Sequence, residues 1–82
     1  MDGRGWVTLD RLSGSKMATT SSVVIPIERI TRLSEGREWG VVICEVHTIE
    51  GVIYVSGTTG EVAEKIVEAE ARHARILRGV TP

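Results

Sequence analysis

Cys44, His47 and His73 are the side chains of this 82-residue chain best suited to nucleophilic or metal chemistry. A cysteine nucleophile needs a base within hydrogen-bond reach. Cys44 and His47 both lie in the alternating run Gly40 to Thr48, three positions apart. An odd separation along a strand sends two side chains to opposite faces. The two therefore form no local dyad, and Cys44 reads as a small buried thiol. His47 shares its face with Glu45, which reads as a solvated sheet face. His73 falls on the apolar stripe of a helix. One cysteine and two histidines make no zinc spacing. The sequence predicts no metal, no cofactor and no catalytic residue.

Anion chemistry has two candidate sources. Gly57-Thr58-Thr59-Gly60 precedes a helix, and free amides at a helix start attract anions. No Lys-Ser/Thr follows the second glycine, so this is not a P-loop, and the turn doubles as a helix cap. Arg29, Arg32 and Arg37 surround the stretch leading to Trp39. Arginine beside an exposed tryptophan stacks on bases or anchors an interface. These eight residues are the candidate ligand or interface positions.

The elements that must position them read as follows. Trp6 to Leu12 alternates, with Val7 and Leu9 on one face, and predicts a half-buried strand. Ser13 to Lys16 is a turn cluster. A short second strand is expected over Met17 to Thr20, broken at Ser21 and Ser22. Pro26 cannot donate to a ladder, so Val23 to Leu33 reads as an edge or a bend, with a strand from Ile27 to Leu33. Ser34 to Glu38 reads as a polar loop. Gly40 to Thr48 and Val52 to Ser56, turning at Glu50-Gly51, form the clearest hairpin. From Thr58 the period becomes helical, with Thr58 and Glu61 as a capping box. Val62, Ile66, Ala69, His73 and Ile76 make one stripe. Acidic residues fill the first half of this helix and arginines the second, as the dipole favours. Gly79 is the expected stop. The fold class is α+β: one domain over residues 1–82, loose at 1–5, a small bent antiparallel sheet of four to five strands over 6–56, and one long helix over 58–78.

The chain is small for its stability. It has 10 basic and 11 acidic residues, a net charge of −1, and no phenylalanine. Without a basic excess it is a poor general nucleic-acid binder. A lone cysteine supplies no internal disulfide. Small domains lacking disulfide and metal commonly gain stability by association. A homo-oligomer is therefore expected, with Val41, Ile43, His73, Ile76 and Leu77 as candidate contacts at an apolar strand surface and the far helix end. No apolar run reaches the roughly 18–20 residues that span a bilayer, and the start lacks a signal-peptide core. The expectation is a cytoplasmic protein without membrane insertion.

The segment Val7-Thr8-Leu9-Asp10-Arg11-Leu12-Ser13-Gly14 resembles the opening of FlbD-type proteins, a family of small flagellar and swarming-motility proteins with similar phage-borne members. Ile27-Glu28-Arg29-Ile30 sits where that family has its Ile-Glu strand. Val55-Ser56-Gly57-Thr58-Thr59-Gly60-Glu61-Val62-Ala63-Glu64-Lys65-Ile66 resembles its strand-to-helix ending. The likeness runs from Val7 to Ile66. Ser22 to Pro26 replaces the family's Asn-containing turn, and the helix runs longer. The resemblance implies a non-enzymatic accessory protein. Three functions stand open at this point: an FlbD-like interaction module working as a homo-oligomer with an unknown protein partner, an oligomer that sequesters a small anion or nucleotide, and a small nucleic-acid-binding regulator.

Overall fold

A computed structural model describes residues 5–80, with side chains through residue 76. Five strands precede one helix: β1 (Trp6–Ser13), β2 (Thr19–Pro26), β3 (Ile30–Glu38), β4 (Val41–Thr48), β5 (Gly51–Ser56) and α1 (Thr59–Val80). The strands form one antiparallel sheet in the order β2-β1-β5-β4-β3. The α+β class is thus shown. Residues 1–4, expected to be loose, lie outside the described residues. Gly5 is anchored, because its carbonyl accepts the Ile27 amide at 3.0 Å.

Chain length forces this sheet to curl. β2 and β3 are its two edges, yet only the short 3-10 turn Ile27–Arg29 joins them. Four residue steps span at most about 14 Å. The edges of a flat five-stranded sheet would stand about 19 Å apart. The sheet must therefore bend where Pro26 hands over to Ile30. The bend is tied to the β4–β5 hairpin by the Ile49 amide, which donates to the Arg29 carbonyl at 3.2 Å.

Alternation decides what fills the bend. Val7 and Leu9 from β1, Ile25 from β2, Cys44 and Val46 from β4 and Val55 from β5 point inward and are fully buried. Ile27 joins them from the 3-10 turn, and Val62 and Ala69 close the core from α1. Helix burial fades along the expected stripe, from Val62 and Ala69 at 1–2% exposed to Ile76 at 52%. The helix cap forms as expected. The Thr58 amide donates to Glu61 Oε1 at 2.9 Å, and the Glu61 amide donates to Thr58 Oγ1 at 3.1 Å. The helix continues through Gly79 to Val80 rather than stopping at residue 78.

Two strands differ from the sequence reading. Ser21 and Ser22 do not break β2, which pairs residue for residue with β1, including Arg11 with Ser21 and Asp10 with Ser22. An edge strand needs no apolar outer face, so serines are accommodated there. Ile27 begins a 3-10 turn rather than a strand, and β3 starts at Ile30. Ser34 to Glu38 is not a loop: it is the second half of β3, held by pairing from Ser34 with Glu45 to Glu38 with Val41. Its polarity reflects an exposed edge.

Candidate functional site

The candidate residues separate onto different parts of the fold. Arg29 sits at the bend, and its guanidinium lies 3.3 Å from both carboxylate oxygens of Glu50. Arg32 lies opposite His47 in the β3–β4 pairing, and Arg37 lies opposite Val42, near the far end of the strand. Trp39 follows at the tip of that hairpin. Sequence proximity had grouped the three arginines, but a nine-residue strand spreads Arg32 and Arg37 along its length. Arg37 and Trp39 do share one end of the sheet with the Gly57–Gly60 turn, because Ser56 pairs with Ile43, next to Val42.

That end carries the backbone strain. Glu38 pairs with Val41, leaving the two-residue loop Trp39-Gly40. Trp39 has φ 53° and Gly40 has φ 77°. Positive φ at both loop positions matches the twist of a tight hairpin, which ordinarily selects Asn-Gly. A tryptophan in the left-handed region is strained. Trp39 is 65% exposed, and the Lys16 ammonium stands 5.9 Å from its ring centre. Lys16 and Met17, in the β1–β2 connection, also have φ 56°. Two strained connections from opposite halves of the sheet thus meet at a basic and aromatic tip, a grouping without signal in the linear sequence.

The helix start beside this tip already holds its anion. Glu61 supplies a carboxylate to the Thr58 amide. A second negative group arriving at the Gly57–Gly60 turn would meet that charge. The neighbouring recess, about 250 Å³, is lined by Glu61, Glu64, Lys65 and Glu68, a mostly acidic wall.

The outer sheet face brings together Ser34, Glu45 and His47. Ser34 Oγ donates to Glu45 Oε1 at 3.1 Å and lies 3.0 Å from His47 Nε2. His47 Nε2 is also 3.4 Å from Glu45 Oε1. A serine has one hydroxyl hydrogen. With that hydrogen on Glu45, the His47 tautomer carrying Nε2–H donates to Ser34. An activated serine needs the opposite direction, with the carboxylate on the other ring nitrogen. This cluster satisfies the polar face without forming a nucleophile relay. Strand alternation puts Glu45 and His47 on one face; Ser34 joins them because Ser34 to Glu38 is strand and not loop.

Cys44 faces away from this cluster, into the core, as the strand alternation required. Burial first, then the charges of Glu45 and Glu35, push its thiol above the ordinary value of 9.0. Among the described residues, no group of three or more His, Cys, Asp or Glu side chains could hold a metal.

The far end of α1 forms a third surface. His73 stacks edge-on against Trp6, with ring centres 5.8 Å apart. Trp6, Ala69, Arg72, His73 and Ile76 line a recess of about 40 Å³, well below the ~300–1,000 Å³ of a typical small-molecule site. Of the expected oligomer contacts, Val41 and Ile76 are exposed. Ile43 is fully buried inside the monomer and takes no place on that surface. It lies within β4, flanked by Gly36 of β3 and Ser56 of β5, with no surface left to offer a partner. The side chain of Leu77 lies outside the described residues.

The fold and these surfaces define a class: a small α+β protein, a curled antiparallel sheet closed by one helix, with Trp6 and Trp39 exposed. Comparison with known proteins found no matching family model, no matching curated relative and no matching solved structure. No helix among the described residues is long and apolar enough to cross a membrane.

Proposed function

We propose that this protein is a non-enzymatic interaction module of the FlbD-like kind, working as a cytoplasmic homo-oligomer. One observation carries the reading. Trp6, Val24, Trp39, Val41, Ile49, Val52, Val67 and Ile76 each expose 44–70% of their surface. Among the described residues these eight large apolar side chains rival a core of ten buried ones, two of which are only Cys44 and Ala69. Isolated exposed apolar residues are ordinary, but so many on one small domain favour association. Partner contacts would also supply stability that a core of this size lacks.

Anion sequestration is the second reading. Arg32 and Arg37 favour it, since both are exposed and neither has an ion-pair partner among the described residues. The occupied helix cap and the Arg29–Glu50 pair weigh against it. Native mass spectrometry of protein purified without denaturation separates the two. The interaction module gives a multiple of the 8.9 kDa chain mass with nothing added. An oligomer carrying a few hundred extra daltons per subunit replaces that reading with sequestration. A nucleic-acid regulator, the remaining alternative, would reveal itself by binding that falls steeply with salt.

A further inference from the structure

We infer that β2 is the self-association edge, and that two copies join by antiparallel β2–β2 pairing about a two-fold axis. This rests on the homo-oligomer reading and names its surface. β2 is a sheet edge eight residues long, Thr-Thr-Ser-Ser-Val-Val-Ile-Pro, without a single charged side chain. Edges of this kind present a row of free amides and carbonyls, and proteins ordinarily blunt them with charges, bulges or short length. The opposite edge is blunted in that way. β3 carries Arg32, Glu35, Arg37 and Glu38, and its register shifts between Ile30 and Arg32. The contrast between the two edges marks β2 as the one left open. Pro26 closes it at the last position, where a missing amide interrupts nothing.

The occupant is a second copy of the same strand. A charged partner strand would find no complementary group on β2, whereas a neutral one meets no repulsion. Antiparallel pairing of identical strands requires a two-fold axis normal to the sheet, which keeps like faces on the same side. An axis through Ser22 sets Thr20 of one copy beside the partner's Val24, and Val24 beside the partner's Thr20. These outer-face positions are exposed in the monomer, Val24 at 59%. β-branched pairs of this sort stabilise cross-strand contacts. The pairing would extend the sheet from five strands to ten across two chains and satisfy about six to eight backbone groups now facing solvent.

A charge-swap experiment tests the pairing. One chain carries Thr20→Lys with Val24→Lys, the other Thr20→Glu with Val24→Glu. Both positions are exposed and face the uncharged Leu12 and Thr8 on β1, so the monomer fold should hold, as far-UV circular dichroism would verify. If either double variant proves unfolded, Val24→Lys and Val24→Glu alone carry the same comparison. Analytical ultracentrifugation reads the mass. The expected result is an even-numbered wild-type assembly, half that mass or less for each variant alone, and restoration of the wild-type mass when the two are mixed. Variants that keep the wild-type mass, or that separate without being restored by mixing, overturn the β2 assignment and leave the oligomer reading standing. An odd subunit number also overturns it. A wild-type protein that sediments as a single chain at every concentration removes both.

Discussion

Replacing Trp39 by asparagine should make the protein more stable. Trp39 holds φ 53° beside Gly40 at φ 77° in a two-residue hairpin loop. An ordinary side chain in the left-handed region costs about 1–2 kcal/mol, and asparagine pays much less because its short polar side chain bonds locally. The tryptophan gives little in return. It is 65% exposed, and its contact with Lys16 at 5.9 Å is a solvated cation–π pair, which contributes about 0.5–1 kcal/mol. The difference leaves Trp39→Asn more stable by about 0.5–1 kcal/mol, or roughly 2–8 °C in Tm for a domain this size. Urea unfolding at fixed protein concentration, followed by far-UV circular dichroism, gives the midpoint and slope. A midpoint at or below wild type would refute the reasoning and mean that Trp39 is anchored by more than Lys16. A midpoint that rises while association weakens would identify Trp39 as strained for the sake of contact.

Other perturbations read other joints of the fold. Thr58→Ala removes the Oγ1 acceptor of the Glu61 amide while the Thr58 amide keeps its bond to the Glu61 carboxylate, and should lower stability by about 1 kcal/mol in the same urea assay. Gly5→Ala should destabilise more, because a Cβ there would meet His73 Cβ and Cγ at 2.8 Å on a backbone with φ 89°; a lowered Tm with a loss of tryptophan fluorescence asymmetry near Trp6 is the expected signature. The Cys44 thiol has a folded value raised above 9.0, so the neutral form is favoured by folding. Its stabilising effect is present in full below 9.0 and is lost as pH climbs above that value, because the unfolded thiol ionises first. The fall in stability between neutral pH and pH 10 should be smaller in Cys44→Ala than in wild type, and native Cys44 should react with iodoacetamide only at the rate of unfolding.

Much of this architecture is written in local periodicity. Val7 and Leu9, then Cys44, Val46 and Val55, alternate because one face of each strand meets the core, and the helix announces itself by its cap and its three-and-four spacing. The second half of β3 and most of β2 were illegible for one shared reason. They are sheet edges, where neither outward apolar residues nor strict alternation is required, so Ser21-Ser22 and Ser34 to Glu38 look like breaks until their partners on β1 and β4 are known. The candidate surfaces suffered similarly. Arg29, Arg32 and Arg37 are close in sequence, but a 3-10 turn and an extended strand distribute them from the bend to the hairpin tip. Conversely Lys16 and Trp39 are far apart in sequence, and only the curl of the sheet brings them together.

Self-association is the claim on which the functional reading stands, and sedimentation of the untouched wild-type chain tests it most directly. Measured from low to high micromolar concentration in neutral buffer, the mass should rise to a fixed even multiple of 8.9 kDa. A mass that stays at 8.9 kDa across the whole range would contradict it.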